Sequence, residues 1–112
     1  MADTILVFNA QNSAPDTIEV FYTAPSSGLG TRIKAFSAAN PSGASVSYKA
    51  YIYSSSGGVV LALVPQTIVV RDKADFGAAA INQVIPPGGT LRMESSTALA
   101  LNFYITGVEQ TS

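Results

Sequence analysis

The chain contains no cysteine, no histidine and no tryptophan, and only 12% of its 112 residues are charged. Without cysteine there is no disulfide framework and no thiolate nucleophile. Without histidine there is no imidazole base, no zinc site of the usual Cys/His kind and no histidine pH switch. Folding therefore rests on burial alone. The charged share is about half the ~25% usual in soluble domains, as expected of a protein that covers much of its surface with partners. The formal net charge is -1, and Arg32, Lys34, Lys49, Arg71, Lys73 and Arg92 are spread along the chain. No basic stripe is present to neutralise a phosphate backbone, so nucleic acid is not an expected partner.

Long apolar runs are missing as well. No segment approaches the ~20 apolar residues that span a bilayer as a helix, and Met1-Ala2-Asp3-Thr4 has no basic n-region of a secretory signal. The expectation is a chain made in a cytoplasm and soluble there, with no membrane partner. A length of 112 residues fits one domain, 1–112, with 1–12 as an N-terminal arm.

What is present is a series of strand-length segments rich in Val, Ile, Thr, Tyr and Phe, cut by turn signals at Asn9 to Asp16, Pro25 to Gly30, Asn40 to Gly43, Ser54 to Gly58 and Pro86 to Gly89. The expected strands are Thr4 to Phe8, Thr17 to Thr23, Thr31 to Ala39, Ser45 to Tyr53, Val59 to Leu63, Gln66 to Val70, Thr90 to Glu94 and Leu99 to Gly107. Leu99, Leu101, Phe103 and Ile105 alternate with smaller or polar residues, the period-two pattern of a half-buried strand that Gly107 ends. The fold class is all-β: a single antiparallel β-sandwich or jelly roll of about eight strands. Asp72 to Asn82 alone has helical propensity, and Gly77 weakens it, so it reads as a loop with at most one helical turn. Pro86-Pro87-Gly88-Gly89 reads as a rigid turn.

Several strands are apolar on both faces. One face fills the core; the other is expected to carry Phe21, Tyr51 and Tyr53, with Tyr104 on the last strand. Outward aromatics on a charge-poor surface mark these four as candidate interface residues. Candidate chemistry is sparse. Asp72 and Asp75 are the one pair of carboxylates close in sequence, but they are interleaved with Arg71 and Lys73 and read as a solvated loop. Serine and threonine hydroxyls have no nucleophile motif around them, and Gly28-Leu29-Gly30-Thr31-Arg32 lacks the strand-to-helix setting of a phosphate loop. No catalytic, metal or cofactor site is expected.

The order of several motifs resembles small virion structural proteins of tailed bacteriophages. They are Phe21-Tyr22-Thr23-Ala24-Pro25 with a glycine-containing turn, Thr31-Arg32-Ile33-Lys34-Ala35-Phe36, and Asn40-Pro41-Ser42-Gly43. The closing pair is Ile85-Pro86-Pro87-Gly88-Gly89-Thr90-Leu91 and Ile105-Thr106-Gly107-Val108-Glu109. The first turn, Pro25 to Gly30, is longer than is usual there. The resemblance runs from Thr17 to Glu109. It implies a non-enzymatic β-sandwich building block, localised in the virion as a head-decoration or head-tail junction (neck or collar) component. Its partners would be further copies of itself and other virion proteins such as major capsid, portal or tail proteins. A tail-fibre or receptor module that stacks glycans on the same tyrosines is the alternative.

Overall fold

β-branched and aromatic residues fit a pleated, half-buried surface, and the segments rich in them become strands. A computed structural model describes residues 4–110. Within them lie β1 (Thr4–Ala10), β2 (Glu19–Thr23), β3 (Gly30–Asn40), β4 (Val46–Tyr53), β5 (Val59–Val69), β6 (Lys73–Phe76), β7 (Val84–Ile85), β8 (Thr90–Ser95) and β9 (Asn102–Gln110). One antiparallel sheet runs β1-β9-β3-β6, with β7 also on β3; the other runs β2-β8-β4-β5. β6 pairs with Ser37 to Asn40 and β7 with Thr31 and Arg32, so the two short strands together make one interrupted edge beside β3. Eight strand positions in two four-wide sheets, in this order, form a jelly roll.

Phe8 of β1 stacks on Tyr22 of β2 at 5.9 Å, so the β1 and β2 edges share one side of the sandwich. The β5 and β6 edges share the other.

The two inner faces meet in a single apolar cluster. In β4 the inward set is Val46, Tyr48, Ala50 and Ile52, and in β8 it is Leu91 and Met93. Phe103 of β9 is fully buried and lies 5.5 Å from Phe21, 6.2 Å from Phe36 and 5.3 Å from Tyr48 between ring centroids. All three contacts are edge-to-face, the arrangement that the ring quadrupoles favour. Asn40 is buried at the end of β3 and donates to the carbonyls of Ala44 (2.8 Å) and Val69 (2.7 Å), while its own carbonyl accepts from Ser42. This Asx turn ties the Asn-Pro-Ser-Gly corner to the opposite sheet.

Several expectations are corrected. The Val59 to Leu63 and Gln66 to Val70 segments are one strand: of the three register shifts along β4 and β5, the one between Tyr48↔Thr67 and Ala50↔Val64 absorbs Pro65 instead of ending the strand there. Within the expected loop of 72–82, Lys73 to Phe76 pairs with β3, and the helical piece is one 3₁₀ turn, Ala78–Ala80. Gly77 makes the link because a Cβ there would sit 2.6 Å from the Phe36 ring. Leu99 is exposed with φ +55° and precedes β9 rather than opening it. Gly107 does not end that strand, which continues to Gln110; its missing side chain lets the carbonyl of Arg32 approach to 2.6 Å from where a Cβ would lie. Residues 4–12 are not a free arm: β1 pairs along its length with β9, and buried Asn12 donates to the carbonyl of Met93 at 2.9 Å. Ala2 and Asp3 lie outside the described residues.

The Pro86 to Gly89 turn has the expected form, with Gly89 N–H donating to the Pro86 carbonyl at 2.8 Å and Gly88 at φ +73°.

Removing the ring that joins the sheets leaves a cavity among three other aromatic rings. Phe103→Ala is expected to cost about 3–5 kcal/mol, read as a lower denaturant midpoint in equilibrium unfolding; a loss within about 0.5 kcal/mol, the range of a surface substitution, would contradict this packing.

Candidate assembly surfaces

Alternation in β4 sends Tyr51 and Tyr53 to the outer face of the β2-β8-β4-β5 sheet, as expected. Their rings meet edge-on, 6.2 Å apart at 76°. Tyr51 lies opposite Arg92 in β8, and the Arg92 guanidinium sits 4.1 Å above the Tyr53 ring, a cation-π contact. Lys49 and Glu94, also directly opposite, form a pair at 3.9 Å. This face is half-covered, mixed in polarity and internally paired.

The other two aromatic candidates lie elsewhere. Tyr104 is exposed on the outer face of the β1-β9-β3-β6 sheet, on the far side of the sandwich. Phe21 points inward against Phe103, the reverse of the expected phase, and Ile18 and Val20 are the outward residues of that segment. A bulge between Val20 and Tyr22 breaks the single alternation that would put Ile18, Val20 and Tyr22 on one face, so that Phe21 and Tyr22 both lean into the sandwich. The structure therefore brings only Tyr51 and Tyr53 together.

Asp72 and Asp75 also part company. Asp72 is exposed in a turn beside Arg71 Nε at 3.3 Å. Asp75 accepts from the Tyr48 hydroxyl at 2.5 Å, and burial together with that carboxylate pushes the Tyr48 phenol far up. At the other end of the sandwich the Tyr22 hydroxyl meets Glu109 and, at 2.8 Å, Thr31; burial first, then the carboxylate, pushes it up to about 12. Glu19 is held below the usual carboxylate range by the Ser13 hydroxyl, with Asn12 and two backbone N–H groups adding to it. All these groups serve turns and sheet ends. Among the described residues no cluster of carboxylates could hold a metal ion, and no helix is long and apolar enough to cross a membrane.

The exposed apolar residues gather at the sheet edges instead. On one side are Ile5 (78% exposed) and Val7 (56%) of β1, with Val20 of β2 and Ile18 just before it. On the other are Val59, Val60, Leu61 and Ile68 of β5, with Phe76 of β6 at 74%. No charged residue occurs between Lys49 and Arg71, a stretch that includes all of β5. That gap is the signal that could have pointed to this edge from sequence. The aromatic residues drew attention to the broad faces, whereas β-branched aliphatics carry the exposed surface. Large exposed apolar patches of this kind mark interaction surfaces.

No family model matches the chain, and no curated protein matches it. Among solved structures, a chain of Bacillus endospore appendages, described as "a novel family of disulfide-linked pili", is similar over 99% of this chain and 88% of that one, with a TM-score of 0.57 and 11% sequence identity. At that identity the likeness is one of fold.

Tyr22 is neutral in the folded protein over a pH range in which an unfolded tyrosine ionises, so its contribution is complete below pH 10 and is lost as the pH rises toward about 12. Unfolding free energy is expected to fall through that window, and Tyr22→Phe to flatten part of the fall. Equilibrium denaturation on either side of pH 10 checks it; parallel profiles for the two proteins would contradict the raised phenol.

Proposed function

We propose that this protein is a non-enzymatic structural subunit of a bacteriophage virion, a head-decoration or head-tail junction component that assembles with copies of itself and with other virion proteins. The observation that carries the assembly part is the apolar, uncharged edge on each of two opposite sides of one small sandwich. A monomer gains nothing from such edges, which are templates for association unless covered. Many copies of one modest contact, repeated on a symmetric lattice, act together as a tight attachment.

Three further observations support the reading. The motif order from Thr17 to Glu109 resembles that of small phage virion proteins, and its turn and glycine positions have structural work here: Pro86 to Gly89 forms a hydrogen-bonded turn, and Gly107 admits the Arg32 backbone. The residues that could serve chemistry are engaged in sheet-end hydrogen bonds, and the chain has neither histidine nor cysteine. The jelly roll is also the fold of a chain from a pilus, itself an assembly. Those appendages are disulfide-linked, whereas this sequence has no cysteine and would hold its neighbours by non-covalent contacts.

The glycan-binding alternative is served less well. A stacking platform needs an open, flat aromatic face, but Tyr51 and Tyr53 are tilted at 76° and Arg92 covers the Tyr53 ring.

Light scattering across a range of concentrations tests the assembly. The expected result is a stable multiple of 11.6 kDa. A mass of 11.6 kDa at every concentration would contradict self-assembly and leave only attachment to another virion protein.

A further inference from the structure

We propose that the outer edge of β1 is a self-pairing edge, and that two copies join there antiparallel about a two-fold axis centred on Val7. The inference rests on the assembly reading above and names the contact.

It comes from comparing the four open edges of the sandwich. Natural sheets blunt exposed edges with charge, proline, bulges or short length. β2 has five residues, a bulge between Val20 and Tyr22 and the charged Glu19. β5 has Pro65 and three register shifts. The fourth edge is split into β6, with four residues that include Lys73 and Asp75, and β7, with two. β1 alone has none of these devices: Thr-Ile-Leu-Val-Phe-Asn-Ala runs seven residues in unbroken register with β9, without charge, proline or glycine. Among the described residues its strand partner is β9 alone, so alternate backbone N–H and C=O groups along the other edge have no strand partner there.

The identity of the occupant follows from the same comparison. A strand that adds to all of β1 must be regular, uncharged and about as long, and no other edge of this chain combines these: β2 and β5 are bulged, and the regular β6 has four residues that include Lys73 and Asp75. The complement available within the chain is therefore a second β1, and a surface that pairs with itself gives a closed two-fold contact rather than a filament. Charge permits it, because no like charges meet in any self-pairing of Thr4 to Ala10.

Register follows from the pleat. Residues directly opposite each other point to the same face, so a two-fold pair must place one residue against its own copy. Centring on Val7 pairs all seven residues of β1; a shift to either side loses pairs. Val7 then faces Val7 of the second copy, and Ile5 faces Asn9, on the outer side. Leu6 meets Phe8 on the inner side, where both are only half-buried in the single chain. The pairing covers Ile5 and Val7, two exposed aliphatics of the β1 side.

The absence of cysteine provides the test. Val7→Cys places two thiols opposite each other at a Cα separation of about 4.5–5.5 Å, within disulfide reach. Asn9→Cys lies on the same exposed face, but its copy would be four residues along the partner strand, about 13 Å away. In a glutathione redox buffer, V7C is expected to form the linked dimer at least tenfold more than N9C, and mixed I5C and N9C are expected to link to each other. Equal linking of V7C and N9C, or unlinked V7C in a protein that light scattering shows to be assembled, would overturn the pairing alone. A monomeric wild-type protein would overturn the assembly reading together with it. As a second variant, V7K sets two ammonium groups face to face and is expected to halve the assembled mass while far-ultraviolet circular dichroism shows the sheet intact. A folded V7K of unchanged mass would overturn the pairing.

Discussion

Phe103, near the start of β9, touches rings from three other strands, one in its own sheet and two in the facing one. Much else depends on that contact. It fixes the inward phase of β9, and β9 in turn sets the register of β1 and β3 on either side. Phe21 packs inward against Phe103 with Val20 outward, and the bulge in β2 lets Tyr22 lean inward as well. With no disulfide to constrain the chain, interdigitated apolar side chains must supply nearly all the specificity of sheet-on-sheet packing.

The same economy explains the surface. A chain of 112 residues with 12% charge has few groups with which to blunt four open edges. Glu19, Lys73 and Asp75 lie on two of them, bulges and Pro65 protect a third, and β1 has no such device. The polar groups the chain does have are spent at turns and sheet ends, where Asn40, Glu109 and Asp75 satisfy buried or half-buried partners. Function, on this account, belongs to the perimeter of the sandwich. The outer face of the β2-β8-β4-β5 sheet is internally paired, and the interior is packed.

Much of the fold was legible in the sequence because period-two alternation and Gly/Pro/Asn turns are strong local signals. The inward set of β4 and the trio Leu101, Phe103 and Ile105 could be read from alternation alone. What was illegible depended on the partner strand. Lys73 to Phe76 has little β character of its own and becomes a strand because the long β3 offers it an edge. Pro65 looks like a break until bulges are seen to carry the chain past it. The phase of Phe21 was reversed for the same reason, since one alternation cannot run through the bulge: Tyr22 is inward as expected, but Ile18 and Val20 before the bulge are outward and Phe21 is inward. Of the candidate surface, Tyr51, Tyr53 and Tyr104 were placed outward correctly, whereas the aliphatics of β1 and β5 were read only as strand residues with no face assigned, because nothing local distinguishes an edge strand from a central one.

Hydrogen exchange measured at low and high protein concentration tests the central claim most directly. If assembly proceeds through β1, alternate amides of Thr4–Ala10 should gain protection as concentration rises, while those of Glu19–Thr23 and Lys73–Phe76 stay unchanged. Protection that rises at those blunted edges and not at β1, or exchange that is independent of concentration everywhere, would contradict the account.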